Sequence, residues 1–102
     1  MQKSGRHHSI RPSHPAEIVA GAIEDLNLSK TAFARALGIS RQTVYDFLAE
    51  RQGVSASMAV RLEAVLGSSA EFWLNLQSAH DLWRARQTVD TGALKRIATV
   101  AA

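Results

Sequence analysis

The sequence has no cysteine, which excludes disulfide bonds and thiolate metal sites and predicts a protein of the reducing cytoplasm. No apolar run is long enough to cross a membrane and no apolar signal core stands near the N-terminus, so no membrane association is expected. With only two prolines and six glycines, a low-complexity linker is not expected either. Hydrophobic residues make up 46% and aromatic residues 6% of the 102 residues. This length and composition predict one small helical domain with a single core.

A catalytic pattern is also missing. The histidines, the scattered serines and the single tyrosine form no set of nucleophile, base and orienting group, and there is no glycine-rich phosphate loop. The adjacent carboxylates Glu24 and Asp25 point apart if they lie on a helix. His7, His8 and His14 have no acidic or cysteine companions at ligand spacing, so we expect solvated histidines and no metal site. The sequence therefore predicts neither an enzyme nor a cofactor.

The net charge of +3 is small, but the charges are unevenly distributed. Residues 1–13 carry three basic residues and no acid, which predicts a flexible basic N-terminal arm. Residues 15–27 carry three acids and no base, and residues 28–53 carry four basic residues against two acids. The acids of the first predicted helix are Glu17, Glu24 and Asp25. A basic surface beside an acidic helix indicates two partners of opposite charge.

The segment 28–50 is typical of two short helices joined by a tight turn. Ser29 and Ser40 stand where N-caps are needed, and Gly38 stands where the first helix must stop in the left-handed conformation. Ala34 permits close approach of the second helix, and Val44 packs where the two helices cross. Apolar residues at helical spacing predict the two inward stripes, namely Phe33, Ala34 and Leu37, then Val44, Phe47 and Leu48.

This pattern predicts a helix-turn-helix, in which the second helix lies in the DNA major groove. Its outward face carries Arg41, Gln42, Thr43, Tyr45 and Asp46. Arginine and glutamine suit bidentate recognition of guanine and adenine. An ordinary helical hairpin with a polar face is the alternative, but the complete pattern with both caps favours binding to double-stranded DNA.

Two further helices are predicted around this pair. The first begins at Pro15, after His14, and ends at Asn27. Its expected inward residues are Ile18, Val19, Ala22, Ile23 and Leu26. The fourth helix begins after Ser55 or Ser57 and ends at Gly67. Its expected core residues are Met58, Ala59, Leu62, Val65 and Leu66, whereas Arg61 and Glu63 are expected to be solvated.

The fifth predicted helix, from Ala70 to about Arg86, has apolar residues on more than one side. One stripe contains Phe72, Leu76, Ala79 and Trp83, and the other contains Leu74, Leu82 and Ala85. Such a helix needs more cover than its own domain supplies, so we expect a homodimer with Leu74, Leu82 and Trp83 in the interface. The alternative is that the tail, residues 88–102, covers this helix, either as a strand or as a helix.

Several segments together resemble the HigA-type antitoxins of bacterial toxin–antitoxin modules, within the lambda-repressor-like Xre group. The matching segments are His14 to Ile18, Leu37 to Val44, Met58 to Leu62, and Ser69 to Gln77 followed by Asp81, Leu82 and Trp83. The resemblance covers roughly residues 14–97. It implies an all-α domain of five helices over residues 14–87, with the second and third forming the helix-turn-helix. Ala16, Ala56 and Ser57 depart from the family's usual residues, but they stand at helix starts.

The resemblance also implies partners and site residues. Members bind their own operator as dimers and neutralise a RelE-like, ribosome-dependent messenger-RNA endonuclease, the HigB toxin. By position, Ser40, Arg41, Gln42, Thr43 and Tyr45 are expected to meet DNA, and Ser29, Lys30 and Thr31 its phosphates. A basic toxin suits the acids Glu17, Glu24 and Asp25. The alternatives are a solvated acidic face and a stand-alone Xre-type regulator without a toxin.

Overall fold

A computed structural model describes residues 10–101, and within them the chain is all-α. The five helices are α1 (Pro15–Asp25), α2 (Lys30–Leu37), α3 (Arg41–Leu48), α4 (Ala56–Leu66) and α5 (Ala70–Thr88). The predicted five-helix architecture, with α2 and α3 as the helix-turn-helix, is confirmed. Residues 1–9 of the predicted basic arm, which include Lys3, Arg6, His7 and His8, lie outside the described residues. Among the helices of residues 10–101, none is both long and apolar enough to cross a membrane.

Helix α1 begins with a histidine cap. The Nδ1 atom of His14 accepts a hydrogen bond from the backbone N–H of Ala16 at 3.0 Å, and Pro15 occupies the first helical position. The His14 side chain is buried against the rings of Phe47 and His80. The expectation of a solvated histidine was therefore wrong for His14, because capping and ring packing give this imidazole a place in the core.

The buried face of α1 differs in part from the predicted one. Val19 and Ile23 are buried as expected, but Ile18 and Leu26 are 36% and 59% exposed. The third core position is taken by Ala16, so the inward stripe follows residues 16, 19 and 23. Ala16, Val19 and Ile23 recur at the i, i+3, i+7 spacing of one helix face, and Ile18 and Leu26 lie beside that face.

Helices α2 and α3 pack as the sequence predicts. Ser29 and Ser40 are the N-caps, and each hydroxyl accepts a backbone hydrogen bond at 3.0 Å from the third residue after it. The inward residues of α2 and the two main inward residues of α3 are buried: Phe33, Ala34, Leu37, Val44 and Phe47. Leu48 is partly buried and packs against this core.

Helix α4 is capped by Ser55, whose hydroxyl accepts from the N–H of Met58 at 3.1 Å. Met58, Ala59 and Leu62 are buried, with Val65 and Leu66 half-buried beside them. Arg61 and Glu63 are exposed, as expected, but each side chain also makes a hydrogen bond to a helix end. Arg61 donates to the carbonyl of Leu37 at 2.7 Å, and the carboxylate of Glu63 accepts from the N–H of Ala70 at 2.9 Å. Both side chains satisfy backbone groups at helix ends.

The buried face of α5 is not either of the predicted stripes. Its buried residues are Trp73, Gln77 and His80, whereas Phe72 and Leu82 are 39% and 50% exposed. Gln77 is held by its hydrogen bonds, since Oε1 accepts from the buried N–H of Val54 at 2.8 Å and Nε2 donates to Asp81 at 3.0 Å. Apolar periodicity missed this face because two of its three buried residues are polar.

The tail does not cover α5. After α5 the chain makes one turn of 3-10 helix, Thr91–Ala93, and residues 94–101 form neither strand nor helix. Leu94, Ile97 and Val100 are 67%, 96% and 89% exposed. These apolar side chains therefore bury little surface, and the exposed part of α5 stays open in the monomer.

Candidate nucleic-acid interface

The turn between α2 and α3 is built on Gly38. Its φ and ψ of 72° and 32° lie in the left-handed region, which glycine adopts without steric cost. The N–H of Ile39 donates to the carbonyl of Ala34 at 3.1 Å, which closes the helix end. Arg61 then reaches from α4 to the carbonyls of Leu37 and Gly38, at 2.7 and 3.4 Å. The turn between α2 and α3 is therefore held by the conformation of Gly38, by the backbone hydrogen bond of Ile39 and by the side chain of Arg61.

The hydroxyl groups at the start of α3 are used for capping. The Oγ atom of Ser40 accepts from the N–H of Thr43 at 3.0 Å and lies 2.7 Å from its Oγ1. The carbonyl of Thr43 also accepts a hydrogen bond from Nε2 of Gln52 at 3.3 Å. Ser40 and Thr43 are themselves predicted DNA contacts, and both hydroxyls are engaged within the protein.

Three predicted base-contacting side chains of α3 project into solvent. Arg41 and Gln42 are exposed, and Tyr45 is 43% exposed. No side-chain hydrogen bond or ion pair joins Arg41 to another residue in the range 10–101. These side chains meet the main requirement of a base-contacting helix, because an exposed and uncommitted arginine near the helix N-terminus can enter a groove.

The start of α2 lies on the same side of the molecule. The Nζ atom of Lys30 lies 5.1 Å from the centre of the Tyr45 ring, at cation–π distance. Ser29 and Thr31, on either side of Lys30, are exposed. The structure thus brings the predicted phosphate-contacting residues next to the exposed residues of α3. We call this set the α2–α3 face; its members are Ser29, Lys30, Thr31, Arg41, Gln42 and Tyr45.

Asp46 is a predicted contact whose carboxylate already has two partners within the protein. Its Oδ1 atom accepts from Nε2 of Gln42 at 2.9 Å and from Nε of Arg51 at 3.2 Å. The side chain is 32% exposed, against 65% for Arg51. Arg51 and Gln52, which follow α3, were absent from the predicted site. Their only signal in the sequence is their position after a short helix, where a side chain can reach back.

The acids of α1 do not form one continuous patch. Glu17 lies in the first turn and is paired with Arg11 at 2.7 Å, and this hydrogen bond holds the pKa of Glu17 below its usual range. Glu24 and Asp25 are exposed at the other end of the helix. At a rise of about 1.5 Å per residue, Glu17 and Glu24 are separated by roughly 10 Å along the axis. The uncompensated negative charge therefore lies at the C-terminal end of α1.

The three predicted interface residues of α5 differ in exposure. Leu82 is 50% exposed, Trp83 is half-buried, and Leu74 is half-buried against the core of its own chain. The Nε1 atom of Trp83 is buried and has no hydrogen-bond partner among residues 10–101. Leu82 thus offers the most free apolar surface, while Leu74 is largely used within the monomer. The described residues contain no cluster of three or more metal-ligating side chains.

Several known proteins are similar to this chain in sequence and fold. The helix-turn-helix family matches residues 22–73. The HTH-type transcriptional regulator YddM of Escherichia coli is 39% identical over 85 residues, which are 83% of this chain and 90% of YddM. The structure of antitoxin GraA in complex with its operator has a TM-score of 0.76 and 41% identity, over 97% of this chain and 100% of that one. Antitoxin HigA of Pseudomonas aeruginosa, solved with the higBA promoter, has a TM-score of 0.73 and 42% identity, over 80% and 88% of the two chains.

Proposed function

The chain belongs to the helix-turn-helix family and resembles its HigA-type antitoxins, and we propose that it is a bacterial, cytoplasmic antitoxin that represses its own operon. In this proposal the protein binds double-stranded operator DNA as a dimer and neutralises a HigB-like, RelE-type endonuclease. DNA binding rests on the α2–α3 face, and toxin binding on the family and on the charge of α1.

One observation carries the DNA-binding part of the proposal. Arg41 and Gln42 stand exposed in the first turn of α3, and Lys30 stands beside Tyr45 at the start of α2. In a helix-turn-helix, residues in the first turn of the second helix face the base edges, and residues at the start of the first helix lie over the phosphate backbone of the DNA. Structural relatives at about 42% identity were solved with operator or promoter DNA, which supports the same use of this face.

The two groups are expected to respond differently to substitution. Arg41→Ala should weaken binding to the specific site by about 1–3 kcal/mol and relax base preference, because it removes a base contact. Lys30→Ala should weaken binding to all sequences and reduce the salt dependence by about one phosphate contact. Fluorescence anisotropy with the DNA upstream of the gene, at two salt concentrations, measures both effects.

Arg86→Ala is the matched control, since it removes an exposed cation from the last turn of α5, outside the helix-turn-helix. It should leave base preference unchanged. Equal, salt-insensitive losses for Arg41→Ala and Lys30→Ala would contradict the assignment. A loss for Arg86→Ala as large as that for Lys30→Ala would mean that net charge alone drives binding.

The dimer part of the proposal rests on the exposed apolar surface of α5. Leu82 is half exposed in a helix that the tail does not cover, and a two-fold dimer is the simplest way to bury it. Leu82→Glu should give a folded monomer with weak operator binding. Sedimentation measures the oligomeric state, and circular dichroism verifies that the variant is folded. Lys95→Glu in the exposed tail is the control. A monomeric unaltered protein would refute this part.

The antitoxin part competes with a stand-alone regulator, as several relatives are HTH-type transcriptional regulators. Glu24 and Asp25 supply exposed negative charge at the end of α1, a helix outside the helix-turn-helix, which suits a basic toxin. Expression of the neighbouring reading frame, alone and with this chain, distinguishes the two functions. Rescue of growth by both the unaltered chain and Arg41→Ala supports the antitoxin. A harmless neighbour that does not co-purify supports the plain repressor.

The role of the three acids is tested within the same assay. Glu24→Gln and Asp25→Asn together should weaken toxin capture, whereas Glu17→Gln should have less effect because Arg11 already compensates its charge. Pull-down of the toxin by each variant measures the difference. Equal capture by all variants would assign toxin binding to another surface and leave the acids of α1 as a solvated face.

A further inference from the structure

Asp46 is electrostatically out of place in a DNA-binding surface. It lies near the C-terminal end of α3, where the helix dipole disfavours a carboxylate, and it shares a helix with the proposed base contacts. The phosphates of DNA repel a negative charge at this position. Aspartate is also a poor helix former compared with most residues. A role that depends on its hydrogen bonds therefore accounts for Asp46 better than direct DNA contact does.

The hydrogen bonds of Asp46 determine the orientation of a neighbouring amide. Its carboxylate has no hydrogen to donate, so only the Nε2 side of Gln42 can face it, and the Nε2–Oδ1 distance is 2.9 Å. Gln42 and Asp46 are four residues apart and lie on one helix face. The Nε atom of Arg51 donates to the same oxygen at 3.2 Å and compensates its charge. The amide of Gln42 is thus held with Oε1 turned away from Asp46.

The held amide has a defined recognition pattern. Nε2 carries two hydrogens, of which one is used by Asp46, so one donor and the acceptor Oε1 remain for a ligand. Adenine presents the complementary pair in the major groove, the acceptor N7 and the donor N6–H. Guanine presents two acceptors, and its O6 would meet the Oε1 atom of the held amide. A freed amide can instead turn its NH2 group toward guanine.

We propose that Asp46 is a positioning residue that fixes the amide of Gln42 for adenine and against guanine, and does not itself contact DNA. The proposal rests on the proposed DNA-binding function and names what one position of its surface recognises. Arg51 serves the same arrangement by balancing the charge of Asp46. Asp46 positions the amide and Arg51 balances its charge, which explains why an acid and a basic residue are paired at the edge of a surface that approaches phosphates.

Two substitutions of Asp46 separate its charge from its hydrogen bond. Asp46→Ala removes both, while Asp46→Asn removes the charge but keeps an oxygen that can accept from Gln42. Both should tighten binding to a random-sequence duplex, because a negative charge is lost and Arg51 is freed. Only Asp46→Ala should lower the preference for adenine over guanine, by about two- to tenfold, the range expected for loss of one side chain's preorganisation.

The experiment selects binding sites from a randomised duplex with the unaltered protein and then measures anisotropy on matched duplexes. Each adenine of the selected site is replaced by guanine in turn, with each protein variant. Gln42→Ala identifies the adenine that depends on Gln42. Glu50→Gln is the charge control, because Glu50 is exposed after α3 and its side chain pairs with no other residue of the described part. It should raise affinity for random DNA and leave adenine preference unchanged.

The outcomes are distinguishable. Three results together support the proposal. Asp46→Ala loses the preference for adenine, Asp46→Asn retains it, and adding Asp46→Ala to Gln42→Ala causes no further loss. Unchanged preference in Asp46→Ala overturns it. A further loss in the Gln42→Ala background also overturns it, since Asp46 would then contact DNA itself. If the unaltered protein enriches no sequence from the randomised duplex, the DNA-binding function fails first.

Discussion

Gln77 is the residue whose replacement tests the packing of α5 most directly. It is 9% exposed, and its Oε1 atom is the acceptor for the buried N–H of Val54, which lies 23 residues earlier in the chain. A Cβ atom added at Gly53 would lie 2.7 Å from the Gln77 amide carbon, so the amide fits closely against the loop after α3. This contact joins the last helix to the segment that leaves the proposed DNA-contacting helix.

Gln77→Met keeps the length of the side chain and removes its hydrogen bonds. Leaving the Val54 N–H buried without a partner costs about 1–3 kcal/mol. Greater apolar burial by methionine returns about 0.8 kcal/mol per added methylene equivalent. We therefore expect the free energy of unfolding to fall by about 1–2 kcal/mol, and Tm to fall by about 4–8 °C for each kcal/mol. Urea and thermal unfolding followed by circular dichroism measure both quantities.

Gln87→Met is the matched control, because Gln87 lies in the same helix but is exposed and bonds only to the carbonyl of Trp83. It should change stability by less than about 0.5 kcal/mol. Equal effects of the two substitutions would refute the role given to Gln77. Gln77→Glu adds a second test, since it keeps the acceptor but places a carboxylate against Asp81. The loss in free energy of unfolding, relative to the unaltered protein, should shrink as pH falls, because the two facing carboxyl groups then take up a proton.

Three further predictions concern the core and the turn. Burial lowers the pKa of His14, so the unfolded chain binds its proton at higher pH than the folded chain, and stability should fall in a pH titration of unfolding as pH drops below about 6.5. His14→Asn, which keeps a cap, should flatten that slope, and an unchanged slope would exclude His14 as its source. Gly38→Ala should cost about 1–2 kcal/mol at its left-handed φ, whereas Gly21→Ala within α1 should stabilise by about 0.5–1 kcal/mol; urea unfolding that gave both changes the same sign would contradict this. Arg61→Met should lower stability by about 1–2 kcal/mol in the same assay, because the hydrogen bond to the carbonyl of Leu37 is lost, and an unaffected protein would refute that bond.

The helix-turn-helix was predictable because its determinants are local. Each serine cap bonds to a backbone group three residues later, and Gly38 is needed where the chain turns within a few residues. The inward positions of α2 and α3 follow from helical spacing over eight residues each. The exposed positions of Arg41, Gln42 and Tyr45 follow from the same spacing, so the candidate site was largely visible in the sequence. Their contacts with DNA remain a prediction.

The roles of Asp46 and of the acids on α1 depended on neighbours that spacing alone does not identify. Asp46 was placed on the outward face, but its partner Arg51 reaches back from the following loop. Glu17 was grouped with Glu24 and Asp25 by charge, but Arg11 approaches it from the preceding segment. A list of charges along the chain records each residue, whereas the net charge of a surface depends on which opposite charges fold against it.

The sequence by itself determined the number of helices, the serine caps of α2 and α3 and the turn of the helix-turn-helix, because backbone hydrogen bonds at helix ends are satisfied by residues close by in the chain. Only the tertiary structure decided which faces of α1 and α5 are buried. His14, Gln77 and His80 lie inside although they are polar, since His14 caps α1 and Gln77 bonds to Val54 across the domain. Burial of a polar group depends on whether a partner is brought to it, and that partner stands far away in sequence.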